Sequence, residues 1–244
     1  MFVRLLAARR GGSVLAVDAD PNSCLGLMLG VPPAVTVAQF REQARQKQPA
    51  AGMDKVRSFE YDIQQAVAEA DGFDLLTMGR PEGPNCYCAV NNLLRQFLNK
   101  LAAAYHFVVI DNEAGMEHLS RRTTNNVELL CIVAEPTPLG TETAKRIYEL
   151  VQSLPVSVKQ IGIIWNNTTP ARQQPSDNKK LIAIETLGSV LFDQSVYDAA
   201  MQSKTIFDIE DGSIALSAVS GILDRALNLK NLSPANNSEL KTQN

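Results

Sequence analysis

Five short apolar runs rich in β-branched residues recur along the chain, at 14–17, 73–78, 107–110, 129–134 and 161–165, with longer stretches between them. A chain patterned in this way has few folds open to it. The runs are nearly continuous in hydrophobicity rather than alternating, as in strands covered on both faces, so the expected fold is α/β: a parallel sheet with helices on either side. Segments 91–104 and 141–154 place apolar residues at helical spacing, and 2–10 does the same before stopping at Gly11 and Gly12. Segment 214–229 has a helical period and is expected to pack on the sheet. The stretch 32–72 is poorer in pattern, with a polar cluster at 41–48, and is expected to wrap one edge as helix and loop. Segment 168–180 reads as a surface loop and 231–244 as a polar tail. A length of 244 residues suits one such sheet, so a single domain over 1–230 is the expected organisation.

Composition narrows the function classes. A net charge of -3 lacks the electrostatic footprint of a general nucleic-acid binder, so no nucleic-acid partner is expected. No apolar run reaches the roughly 18–20 residues that a membrane helix needs. The start, 1–10, lacks a signal-peptide core, so the expected location is cytoplasmic, with no membrane partner. Of four cysteines, Cys24 and Cys131 stand alone, whereas Cys86 and Cys88 form a Cys-x-Cys pair. In a reducing compartment that pair reads as metal ligation rather than part of a disulfide framework.

In open parallel sheets ligands bind at the carboxyl ends of the strands, so the residues that follow each run are the informative ones. Asp18-Ala19-Asp20-Pro21-Asn22 follows the first run. One of its carboxylates can place a metal-bound phosphate and the other orient a water, though such residues also serve as caps and turn formers. Asp111-Asn112-Glu113-Ala114-Gly115 follows the third; it has the form of a Mg²⁺-side carboxylate with a glycine loop that senses a γ-phosphate. Asn166 offers an amide that donates and accepts, suited to a purine edge or to a turn. Between Gly79 and Cys88, glycines and prolines fix a loop that presents the two thiols. Thiolates select soft or borderline metals, and a closed zinc site takes four ligands, which a two-fold dimer supplies by bringing two pairs together. The competing reading makes both cysteines small buried hydrophobes.

On Gly79-Arg80-Pro81-Glu82-Gly83-Pro84, Cys86-Tyr87-Cys88 and Asn91-Asn92-Leu93-Leu94-Arg95, and then on the segment 111–123, the chain resembles the MinD-like, deviant-Walker-A P-loop ATPases. Within them it resembles the CooC-type maturation factors that insert nickel into carbon monoxide dehydrogenase. The resemblance spans about 2–229. It implies ATP with Mg²⁺ as cofactor, Asp18 and Asp20 in the first switch with Asp20 activating water, Asp111 in the Mg²⁺-linked second switch, and Asn166 at the adenine. It further implies that Cys86 and Cys88 hold nickel or zinc across a homodimer, with carbon monoxide dehydrogenase as the client.

The departure is at the front, because such proteins open with a strand and a Lys-Gly-Gly-x-Gly-Lys-Thr loop that holds the phosphates, and no Gly-Lys dipeptide occurs here. The resemblance therefore implies a sheet without its first strand, and ATP bound through an upstream loop or not at all. The latter case leaves a non-catalytic metal-binding dimerisation module. A MinD/ParA-type spatial regulator is the other alternative, expected to carry an amphipathic membrane helix or a basic DNA face, neither of which the tail at 231–244 shows.

Overall fold

The computed structural model of the chain describes residues 1–9, 12–31, 35–46, 61, 64–80, 99–113, 126–154, 156–169 and 184–228. All five apolar runs form strands. β1 (Val14–Asp18), β3 (Phe73–Thr77) and β4 (Phe107–Asp111) are parallel, and β2 (Val67–Ala70) adds an antiparallel edge, giving the order β2-β3-β1-β4. β5 (Asn126–Ala134), β6 (Ser157–Thr168) and β7 (Glu185–Leu191) form a second, wholly parallel sheet in the order β5-β6-β7.

One departure from the sequence reading concerns the 32–72 stretch. It contains a helix, α3 (Val37–Gln46), but its end is a strand rather than a loop. The β2–β3 hairpin turns on Asp71-Gly72, with Gly72 at φ +80°, the left-handed backbone a two-residue turn requires. The sheet is therefore mixed at this edge. β7 was also not anticipated; Gly188 interrupts its apolar character because a Cβ there would lie 2.6 Å from Ile222 Cγ1.

Each strand of the first sheet alternates its side chains between two cores. Leu15, Val17 and Ala19 face a cluster with Val37, Phe40, Leu76 and Met78. Val14 and Ala16 face the other side, with Phe73, Leu75, Leu29 and the first helix α1 (Phe2–Ala7) through Val3 and Leu6. α1 is shorter than the 2–10 span expected. Phe2 packs on this cluster and also on that of the second sheet, formed by Ile164, Leu187, Val190, Ala215 and Ile222. The last helix, here α6 (Ile214–Asn228), likewise reaches both, through Leu223 and Ile222. Arg9, just past α1, adds an ion pair with Asp224 of α6.

Trp165 is 3% exposed against Ile132, Ile163 and Ala144 of helix α4 (Pro138–Ser153). α4 begins three residues earlier than its apolar pattern because Thr137 caps it, Oγ1 accepting the Gly140 N–H at 3.0 Å, and Pro138 fits the first turn. β1 is buried throughout, but β4 and β5, each the end strand of its sheet, are not, with Val108 37% and Val133 58% exposed. The continuous-burial expectation thus holds at the centre of the first sheet and fails at these ends.

Candidate functional site

Asp18, at the end of β1, has no solvent exposure. Its backbone continues the ladder on one side, the carbonyl accepting Met78 N–H at 2.8 Å, and on the other side Ala19 N–H reaches Asp111 O at 2.9 Å. Asp18 and Asp111 are thereby held in register across β1 and β4. Asp18 Oδ2 accepts the Leu25 N–H at 2.9 Å, at the start of helix α2 (Leu25–Leu29), while Oδ1 is buried without a donor. Burial pushes the Asp18 carboxyl up from the ordinary carboxylate range, with the charges of Asp111 and Asp20 adding to it against backbone hydrogen bonds from Leu25 and Asp20.

Asp20 occupies a tight turn. Its Oδ1 accepts the Asn22 N–H at 2.7 Å and its carbonyl the Ser23 N–H at 3.0 Å, with Ser23 in the left-handed region at φ 52°. Asp111 keeps much of its surface exposed, yet the surrounding chain desolvates its carboxyl enough to raise its pKa, and Asp20 raises it further. The Met1 ammonium opposes both effects. That ammonium is itself lowered by burial, with Asp111 pulling it back up. Asn112, next along, buries an amide oxygen that has no donor.

The three carboxylates predicted from the strand ends therefore feel one another's charge at the carboxyl end of the first sheet, without closing into a cluster that could hold a metal ion by itself. Their chemistry fits a hard divalent cation: an all-oxygen donor set, one member of which is an orphaned buried oxygen. Asn166 lies on the second sheet, exposed near the carboxyl end of β6. Asn167 beside it is left-handed at φ 56° and donates through Nδ2 to Glu135 Oε1 at 3.2 Å, tying the ends of β5 and β6. Sequence reasoning missed this pair, which only the β5–β6 alignment brings together. Gly79, at φ 71°, begins the Gly/Pro loop and packs on Thr36. Cys86 and Cys88 lie outside the described residues, among which no cluster of three or more metal-ligating side chains occurs. No helix of the described residues is long and apolar enough to cross a membrane.

No family model matches the chain. An uncharacterised ATP-binding protein of Methanocaldococcus jannaschii is 36% identical over 228 residues, covering 91% of this chain and 90% of the relative. The chain belongs to the same family as this ATP-binding protein. The carbon monoxide dehydrogenase accessory protein CooC of Rhodospirillum rubrum is 29% identical to this family member over 222 residues, 86% of this chain and 83% of that one. Among solved structures, a ParA family ATPase from Chlorobium tepidum superposes with a TM-score of 0.66 at 16% identity, over 93% of this chain and 90% of its own. The septum site-determining protein MinD of Pyrococcus horikoshii, complexed with Mg-ADP, gives 0.63 at 13%, over 96% and 90%. These two likenesses are of fold, and they confirm the α/β architecture with a parallel sheet.

Proposed function

We propose that the chain is an ATP-dependent maturation factor that handles a thiolate-bound nickel or zinc ion for carbon monoxide dehydrogenase. The observation that carries the catalytic half is the acidic edge, where fully buried Asp18 sits in register with Asp111 and within the field of Asp20. The family character supplies ATP, and the likeness to CooC favours this client over others.

In this reading Asp111, with Asp18 behind it, would hold the Mg²⁺ that accompanies the nucleotide phosphates, which would supply charge neutralisation there. Asp20, on its turn at the first switch, orients the attacking water. Asn166 reads the base. Cys86 and Cys88 provide two thiolates, and a second copy of the chain completes a four-sulfur site, so that nucleotide and metal bias one dimer. The sequence offers no lysine-bearing glycine loop for the phosphates, and no described residue is assigned that task.

The test is ATP hydrolysis by the 244-residue chain beside a form extended upstream in the gene, each also as Asp20→Ala and Asp111→Asn. Turnover lost in both variants, with the Mg²⁺ requirement altered in Asp111→Asn, is expected. Turnover in either form that ignores both substitutions overturns the assignment. Nickel and zinc stoichiometry and dimerisation should fall together in a Cys86→Ala/Cys88→Ala double variant; unchanged values would remove the metal half. Metal binding without nucleotide binding in either form would leave a non-catalytic metal-binding dimer.

A further inference from the structure

Helix α2 buries Gly26 and Leu29 and turns Leu27 and Met28 outward, where they are 70% and 45% exposed. Its closed end is tied to the segment 204–211: Met28 O accepts the Ile206 N–H at 2.9 Å, and a Cβ on Gly30 would touch Thr205. That segment leaves helix α5 (Gln194–Met201), whose end it closes through Lys204 N–H to Ala199 O at 2.9 Å. Phe207 stacks on Phe73 of β3, with ring centroids 5.7 Å apart and the planes inclined by 13°, and still leaves 41% of its surface open. Arg4 of α1 holds the same turn through the carbonyls of Ile206 and Ile209.

A single exposed leucine is ordinary on a surface. Here three large apolar side chains lie on two elements that are hydrogen-bonded to each other, and the backbone of both is held, so the side chains stay open to solvent. An apolar surface kept open in this way marks a binding face. Its surroundings name the partner's chemistry. Asp208, Glu210 and Asp211 are exposed along the segment with Lys204 against them, and the Arg4 guanidinium is spent on Asp211 and the two carbonyls. These acids repel an anionic lipid surface, and a second copy presenting the same face would set acid against acid. The face is built from helix and turn rather than a strand edge that a partner could extend, so docking falls to side chains.

We propose that the face formed by α2 and 204–211 docks a basic amphipathic helix of a partner protein. The helix lays its apolar stripe over Leu27, Met28 and Phe207, and its lysines and arginines meet Asp208, Glu210 and Asp211. The proposal does not rest on the nucleotide or metal reading above. It does give the face a bearing on the candidate site, because α2 starts on the Asp18 carboxylate.

The probe is a fluorescein-labelled amphipathic helix of leucine and lysine, about five turns long, with a leucine–glutamate peptide of the same pattern as control. Binding to the full chain is read by fluorescence anisotropy. The lysine peptide is expected to bind, more weakly as salt rises, and the glutamate peptide is not. Leu27→Gln puts another good helix former at an exposed position and should weaken binding by at least about five-fold, the effect of losing one anchoring side chain. Glu210→Lys should weaken it similarly and flatten the salt dependence, whereas Glu149→Lys, the same charge change on the exposed side of α4, should leave it unchanged. No binding of the lysine peptide, or binding that ignores Leu27→Gln and Glu210→Lys, overturns the proposal. Equal losses in Glu149→Lys and Glu210→Lys also overturn it, since the peptide then reads net charge alone. Self-association in sedimentation that Leu27→Gln abolishes would assign the face to a second copy and overturn it as well.

Discussion

Replacing Asp193 with Ala should cost the fold about 2 kcal/mol, and the structure shows where that comes from. One carboxylate caps two helices, α5 through Ser195 N–H and α6 through Ala215 N–H, and each lost cap is worth about 1 kcal/mol, within a range of about 0.5–2. Ser213 is only 5% exposed, and although its hydroxyl oxygen still accepts the Leu216 N–H at 3.1 Å, its O–H loses its acceptor, which makes about 2 kcal/mol the lower end of the expected cost. Asp193→Asn keeps one acceptor oxygen and should cost about half as much. Urea unfolding at pH 7 measures both, as shifts in midpoint at constant slope. The pH dependence has a fixed sign. Hydrogen bonds from Ser195 and Ser213 hold the folded carboxyl far below its ordinary value of 3.8, so its contribution is present above that value and is lost as pH falls toward the folded one. The gap between wild type and Asp193→Asn should therefore be flat from about pH 5 to 8 and narrow below about pH 4. An Ala variant within about 0.5 kcal/mol of wild type at pH 7, or a gap that widens in acid, would refute the double-cap account.

Asp18→Asn keeps an oxygen for the Leu25 N–H while removing a buried charge. Because burial raises the folded pKa, it is protonated Asp18 that favours the folded state, and that contribution, present at low pH, disappears as pH rises through the folded value. At pH 7 without Mg²⁺ the Asn variant should melt higher by a few degrees, and it should lose stabilisation by Mg²⁺; a lower melting point in a thermal scan counts against this. Gly30→Ala places a Cβ 2.8 Å from Thr205 Cγ2 on a backbone at φ 71°, for a cost of about 1–2 kcal/mol. Adding Thr205→Ser, which removes that methyl and keeps the hydroxyl bonded to Asp208, should recover part of the loss in a double-mutant cycle; strict additivity would show that the contact is harmless.

The strands that line the candidate site were legible as unbroken apolar runs, Val-Leu-Ala-Val before Asp18 and Phe-Val-Val-Ile before Asp111, although only the first is buried throughout. Strand ends mark ligand sites, so Asp18, Asp20 and Asp111 followed. β2 escaped because Val67-Ala68-Glu69-Ala70 is short and half polar; the Asp71-Gly72 turn was its readable signal. β7 escaped because Thr186, Gly188 and Ser189 dilute its pattern, the glycine yielding room to Ile222 and Arg225. The difference between Asp18 and Asp111 could not be read from sequence either. Both end an apolar strand, yet one is fully buried with a hydrogen bond from the start of α2 and the other stays at the rim, a distinction made by tertiary packing alone. Asp193 showed only half its role locally, as the cap two residues before Ser195; its other two hydrogen bonds, to Ser213 and Ala215, reach residues 20 and 22 positions away.

The residues at the acidic edge are also what makes the adjoining structure possible. Helix α2 has five residues, far fewer than the roughly 12–15 at which an isolated helix becomes even marginally stable, so it exists through its ends and its packing. Asp18 Oδ2 fixes the first turn through the Leu25 N–H. Left-handed Gly30 closes the last, with Val31 N–H returning to Gly26 O at 2.9 Å, and Leu29 is buried in the core. From that closed end Met28 O accepts Ile206 N–H at 2.9 Å, and Arg4 of α1 grips the same segment, donating to Ile206 O at 2.6 Å and Ile209 O at 2.7 Å and pairing with Asp211. Two helices that meet the carboxylates at one end thus meet the 206–211 segment at the other. Asp18 cannot be optimised for ligand chemistry alone, because the same carboxylate that would face a cation also starts a helix too short to stand without it.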